Sequence, residues 1–323
     1  MNSDQIDIVT GGAGFVGKNL VERLATSDRR ILILDDLSRG GEDRIAALVR
    51  DFRVQFRQVD CADADAMADA LASVGGRLHS VWHLAANSDI PAGVADPRID
   101  LHRTFQTTFG VLDLMKRTEA QILRFASSSA IYGPFGEVAI FEDIGPLAPI
   151  SNYGAMKLAS EAQINAAVEA FLPRAEIYRF PNVVGAPATH GVIFDFVHKL
   201  RINPGRLDVL GDGTQKKAYL HVDDLIEAMI HISTLDGRRL TFNIGPSDEG
   251  VTVSFIAETV RDRVAPEANI AYGEGPRGWV GDIPSFHYSV QRLMDTGWKP
   301  GRSSSETIIQ AVEEIVGSRQ SVR

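Results

Sequence analysis

The sequence predicts an α/β protein built on a doubly wound parallel sheet. Three observations carry that prediction: strands and helices alternate along the first half of the chain, a glycine cluster joins the first strand to the first helix, and an acid ends the second strand. The first apolar run reaches Thr10 and passes through Gly11, Gly12, Gly14 and Gly17 into residues 18–24, whose apolar positions recur at helical spacing. Such a turn suits a diphosphate: glycine lets the backbone approach the phosphate oxygens, and the new helix offers unpaired N–H groups and the positive end of its dipole. Gly12, Gly14 and Gly17 fit one spacing, and Gly11, Gly14 and Gly17 a wider one. Spacing alone leaves both open.

The second strand, 31–34, ends at Asp35, about 20 residues beyond the glycines, where a carboxylate can accept hydrogen bonds from an adenosine ribose. An acid there repels a 2′-phosphate and favours NAD over NADP, although Arg39 pulls slightly the other way. A third strand is expected over 54–59, ending at Asp60, then an alanine-rich helix over 62–74 and a strand over 80–86. A long helix follows over 101–116, and a fifth strand over 121–126. In sheets of this kind the ligand lies at the carboxyl ends of the strands. Asp60, Ala85, Ala86 and the serines after Ala126 therefore fall on the same rim as the glycine turn.

That rim carries the chemistry. Ser127, Ser128 and Ser129 precede Tyr132 and Gly133, and a helix running to about Phe171 opens with Tyr153 and Lys157. Residues four apart share one helix face. A tyrosine of ordinary pKa, about 10, needs roughly 4 kcal/mol of help to act as a base near neutrality. An ammonium 4 Å away in bulk water supplies only about 1 kcal/mol, so the pair must work in a partly dry cleft.

With 323 residues and 44% hydrophobic content the chain can fill one large α/β domain and a smaller one. A net charge of −9 disfavours nucleic acid and anionic membranes as partners, and no run is long enough to span a bilayer. The single cysteine, Cys61, and an N-terminus without a basic region or long apolar run lead to the expectation of a cytoplasmic protein. The eight histidines lack metalloprotease spacing, so no metal is expected, and the serines lack the setting of a hydrolase nucleophile.

These motifs together resemble the extended short-chain dehydrogenase/reductase family, specifically its NAD-dependent nucleotide-sugar epimerases and dehydratases of the UDP-glucose 4-epimerase type. The resemblance rests on the segment from Thr10 to Gly17, the serine cluster before Tyr132, and Tyr153 with Lys157. It is extended by Asp35-Asp36-Leu37, His83 to Ala86, Asn182 to Gly185, Gly211-Asp212-Gly213, His221 to Asp224, and Arg277 with Gly281-Asp282. It implies a Rossmann-type sheet with a smaller α/β C-terminal substrate domain. The NAD-binding domain would cover 1–180, with 221–246 returning to it, and the sugar-nucleotide domain 181–220 and 247–323. The glycine register becomes Gly11, Gly14 and Gly17.

Carried over by residue, Tyr153 is the acid/base, Lys157 its activator and a ribose contact, and Ser128 the hydroxyl bonded to the reacting sugar oxygen, with Ser127 and Ser129 as fallbacks. The cofactor contacts implied are Gly11, Gly14, Phe15, Val16, Gly17, Asp35, Asp36, Ser38, Asp60, Cys61, Leu84, Ala85 and Ala86, with Tyr153 and Lys157. Ser88, Ser129, Asn182, Lys217 and Arg277 fall where the family binds its substrate. Ser129 and Ala130 stand where dehydratases and decarboxylases carry an acid, which leaves hydride transfer with one acid/base and suits C4 inversion through a transient 4-keto sugar. Thr104 replaces a common asparagine and Lys217 a common arginine. A nucleotide-diphosphate sugar is the expected partner, UDP-hexose by default, in a homodimer built on helix 101–116 and the helix after Tyr153. The alternatives are a dehydratase or reductase of the same family and, in another class, a non-catalytic NAD-sensing regulator.

Overall fold

The computed structural model describes residues 4–136, 138–188, 190–276, 278 and 287–318. The chain forms two compact units. The first comprises Met1–Ile131, Ala148–Arg179 and Met229–Phe242.

The first unit is built on a seven-stranded parallel sheet. Its elements are β1 (Gln5–Thr10), α1 (Phe15–Leu24), β2 (Arg30–Asp35), β3 (Val54–Gln58), α2 (Ala64–Val74), β4 (Arg77–His83), α3 (Thr107–Thr118), β5 (Ile122–Ser128), α4 (Asn152–Ala170) and β6 (Arg174–Phe180); of α5 (Val222–Ser233) and β7 (Arg239–Asn243), the part from Met229 to Phe242 returns to it, a shorter return than the expected 221–246. The strands lie in the order β7-β6-β5-β4-β1-β2-β3. Both β1 and β2 are buried from their second residue onward, because a parallel sheet covered by helices on both faces needs near-continuous apolar strands. One face buries Ile8, Leu32, Val81 and Leu123 against Met67 of α2, Leu114 and Met115 of α3 and Ile164 of α4. Chain order reverses at β1, whose neighbours are β4 and β2, so the glycine turn sits at the topological switch point.

Two elements differ from the sequence reading. The fourth strand ends at His83 rather than 86, because Thr10 Oγ1 accepts the N–H groups of Leu84 and Ala85 at 3.2 Å and draws the chain off the ladder. The expected helix over 101–116 is interrupted: a short helix, Pro97–Asp100, leads into a π-helical segment, Leu101–Gln106, before α3 begins. The hydroxyls of Thr107 and Thr108 bond back to the carbonyl of Thr104, and that of Thr107 also to Arg103, which supports the wider turn.

The second unit comprises Tyr132–Leu147, Phe180–Ala228 and Asn243–Arg323. Residues 132–147, which the sequence reading places with the first domain, cluster here. Strand Ala139–Ile140 pairs with His287–Tyr288, and Tyr132 donates its hydroxyl to Asn243 Oδ1 at 2.6 Å. Helices Val192–Ile202, Val253–Val264 and Ser304–Gly317 share a core that includes Phe196, Leu200, Ile256, Val260, Ile308 and Val312. Among the described residues no helix is long and apolar enough to cross a membrane.

Candidate active site

The turn after β1 is shaped by two glycines. Gly11 has φ +68°, and a Cβ on it would lie 2.8 Å from the Ala85 nitrogen. A Cβ on Gly17 would lie 2.1 Å from the Gly11 carbonyl oxygen. Helix α1 therefore begins pressed against the turn. Its N-cap, Gly14, offers no side chain, and its first turn holds no acid. The first N–H groups of the ten-residue α1 thus face the rim with the positive end of the dipole uncompensated, which fits the diphosphate of a dinucleotide.

Asp35 braces this turn from beneath. Its Oδ2 accepts from the Ala13 N–H at 3.0 Å and its Oδ1 from the Leu37 N–H at 2.8 Å, while burial pushes its carboxyl up. Each oxygen keeps a further lone pair for a ribose hydroxyl. Asp36 is exposed and accepts from the Ser38 N–H. Arg39 is held by Asp89 at 2.8 Å, so the cation that could have favoured a 2′-phosphate is already engaged. At the end of β3, Asp60 accepts from the Ala62 N–H and meets His102 Nε2 at 2.8 Å. Cys61 is buried, and its thiol is pushed up by desolvation and by the neighbouring acids. His83 lies between Thr10 and Thr108, its pKa lowered by burial to about 3, so the ring is neutral.

The reactive pair stands at the end of β5. Ser151 caps α4 by accepting from the Gly154 N–H at 3.1 Å, which fixes where Tyr153 enters the helix. The Ser128 hydroxyl is near enough to the Tyr153 phenol to lower its pKa. Lys157 is 1% exposed; its Nζ donates to the Ala126 carbonyl at 2.6 Å, lies 4.6 Å from the Phe125 ring centre and 5.8 Å from that of Tyr153. Desolvation pushes the phenol up to about 12, against the lowering by Ser128, and lowers the Lys157 amine to about 7 in spite of Glu161 and Asp100. The sequence reading has Lys157 favouring the phenolate. In the structure desolvation outweighs the lowering by Ser128 at the phenol, and it draws the Lys157 amine down towards neutrality.

Of the two fallback serines, Ser127 is fully buried and gives its hydroxyl to Glu161. Ser129 opens the single turn Ser129–Ile131 and is partly exposed. Ser88 is exposed on the loop after β4. In the second unit, Asn182 is exposed at the start of strand Asn182–Val184, and Lys217 is partly buried on strand Lys216–Lys217. Arg277 and the Gly281-Asp282 pair lie outside the described residues.

Sequence reasoning missed the partners behind this site. Glu161 and Arg179 form a buried ion pair, and Asn87 Nδ2 donates to the fully buried Asp100 at 2.9 Å. The signal for Glu161 is its position four residues after Lys157, as Lys157 follows Tyr153.

Comparison with known proteins matches residues 8–245 to the model of the NAD dependent epimerase/dehydratase family. The UDP-glucose 4-epimerase of Mycolicibacterium smegmatis is 28% identical over 95% of this chain and 97% of its own. The dTDP-glucose 4,6-dehydratase of the same organism is 32% identical over 75% of this chain and 72% of its own. Among solved structures, a UDP-galactose 4-epimerase superimposes with a TM-score of 0.83 at 31% identity, covering 97% of this chain and 99% of its own. The chain belongs to the NAD-dependent epimerase/dehydratase family.

Proposed function

We propose that this protein inverts C4 of a nucleotide-diphosphate hexose, with UDP-glucose and UDP-galactose as the default pair, and that it keeps NAD through each turnover. The observation that carries this reading is the grouping of Ser128 at the carboxyl end of β5 with Tyr153 and, one helical turn on, Lys157, whose Nζ lies 5.8 Å from the Tyr153 ring centre. When bound, oxidised NAD supplies a hydride acceptor and donor and a positive charge that favours the phenolate. Tyr153 then takes the proton of the sugar O4 and gives it back to the same oxygen, so no proton is lost overall. Ser128 holds that oxygen in line, and Lys157 stabilises the phenolate and binds the ribose.

The first unit binds NAD through Gly11, Gly14, Gly17 and the first turn of α1, with Asp35 and Asp36 at the ribose and Asp60 at the adenine. The second unit supplies Asn182, Lys217 and Arg277 to the sugar nucleotide. Ser129 and Ala130 offer no acid for elimination of water, which supports inversion over dehydration. Leu101 and Phe109 leave 43% and 57% of their surfaces exposed, with Phe105 partly buried between them; a homodimer through this face would cover the stripe. The protein is proposed to work in the cytoplasm, where its single thiol stays reduced.

The test is to measure NAD released from the purified protein, then incubate it with UDP-glucose. UDP-galactose should form with no build-up of NADH absorbance. A reductase would instead change the absorbance, a dehydratase would release a keto-deoxy sugar, and a regulator would make no product.

A further inference from the structure

Tyr153, Lys157 and Glu161 follow one another at four-residue spacing on α4, so one helix face carries a phenol, an amine and a carboxylate in sequence. The carboxylate is held from two sides. Arg179 on β6 binds it through Nη2 at 2.6 Å and through Nε at 3.0 and 3.2 Å, and Ser127 at the end of β5 donates its hydroxyl to it. All three side chains are buried. A buried ion pair is weak support for stability, since apolar residues of the same volume commonly do as well. The cluster therefore calls for another reason to exist, and its carboxylate stands one helical turn beyond Lys157 on α4. We propose that Glu161, clamped by Arg179 and Ser127, is a positioning residue that keeps Lys157 cationic beside Tyr153.

The surroundings of Lys157 explain why this is needed. It faces Tyr153 and Glu161 from its own helix, Phe125 and the Ala126 carbonyl from β5, Asp100 from the Pro97–Asp100 turn, and His83 from β4. His83 is neutral and cannot help. Arg179 opposes the ammonium and offsets part of the field of the carboxylate it binds, so Lys157 feels what remains of the pair, with Glu161 on its own helix face. Burial strips hydration from the amine, and Glu161 and Asp100 are the two acids that act against this loss. Asp100 also raises the Tyr153 phenol. The carboxylate's bond to Ser127 also fixes the residue next to Ser128, tying the hydroxyl partner of Tyr153 to the same anchor.

This inference rests on the epimerase reading and is tested apart from it. With lysine ¹⁵Nζ-labelled protein and the Lys157 resonance assigned by Lys157→Arg, Glu161→Gln should lower the Lys157 titration midpoint by about one pH unit. In the NAD-loaded enzyme with UDP-glucose, the alkaline limb of kcat should move to lower pH by a similar amount, with KM within about two-fold and the acid limb unmoved. A lower plateau with both the midpoint and the limb in place would overturn the proposal. If Glu161→Gln does not fold with Arg179 unpaired, Glu161→Gln/Arg179→Gln removes both charges; a smaller fall of the midpoint supports the proposal, and none overturns it. Failure of the epimerase reading looks different, because then the wild-type protein makes no epimer while the titration of Lys157 can still be followed.

Discussion

Replacing Gly17 by alanine tests the glycine turn with a contrast built into the chain. The new Cβ would lie 2.1 Å from the Gly11 oxygen and 2.6 Å from the Gly12 Cα, whereas ordinary contact begins at 3.4 Å. The obstacles are backbone atoms of the turn, so no side chain can swing aside; α1 must move away from Gly11. Overpacking of this kind costs typically 1–3 kcal/mol, and more where backbone is struck. Alanine's helix preference returns about 1 kcal/mol. A net loss of roughly 2 kcal/mol corresponds to a fall in Tm of about 3 °C for a protein of this size. Gly14→Ala is the control: its Cβ meets only the Gly11 oxygen, at 3.2 Å. It should leave Tm nearly unchanged yet still obstruct a diphosphate approaching the turn. The assay is scanning calorimetry on NAD-free protein, so that bound ligand does not contribute, paired with NAD content after gel filtration. Gly17→Ala should lose both stability and NAD, and Gly14→Ala chiefly NAD. The reasoning fails if Gly17→Ala melts within 1 °C of wild type or if Gly14→Ala falls as far.

Three further outcomes follow from the site and the second unit. Lys157→Met should abolish turnover yet raise the Tm of the NAD-free protein at pH 7 by several degrees. The amine is lowered from 10.5 to about 7 on folding, so the unfolded chain binds the extra proton between those values, and wild-type stability rises with pH across that window; the variant's advantage should shrink towards pH 10, as thermal melts at the two pH values would reveal. Ser128→Ala removes the hydroxyl that lowers the Tyr153 phenol, so kcat should drop about ten-fold or more and its acid limb move to higher pH, read from a pH–rate profile. Asn243→Ala strips partners from the Tyr132 hydroxyl and from the carbonyls of Ile140 and Ser289, all gathered by one buried amide, and should cost about 3 kcal/mol in denaturant unfolding.

Much of the first unit was legible because its signals are local. Parallel strands read as apolar runs, and the β1 turn needs glycine for reasons of backbone approach that spacing already reflects. The Tyr153 and Lys157 pair was legible from the helical period. What escaped were features set by tertiary partners. The π-helical segment at Leu101–Gln106 keeps the apolar spacing of an α-helix, and only the threonine hydroxyls bonding to Thr104 mark the difference. The fourth strand was displaced because Arg77 and His79 look polar and Leu84 to Ala86 look buried, while the decisive contact comes from Thr10 on another strand. Glu161 and Arg179 drew no reading, since charged residues are rarely buried unless paired, and the pairing joins residues 18 apart on different elements. The rise of the Tyr153 phenol was not legible because desolvation depends on what surrounds a group, which spacing does not encode.

The account's central claim is that Tyr153 handles the proton of one sugar hydroxyl while the hydrogen on that carbon leaves and returns within the same site. UDP-glucose carrying deuterium at C4 tests this most directly, with the product examined by NMR. The account predicts UDP-galactose with deuterium still on C4, no deuterium released to water, and no product from Tyr153→Phe although that variant still carries NAD. Deuterium washed out into solvent, or wild-type rates in Tyr153→Phe, would contradict it.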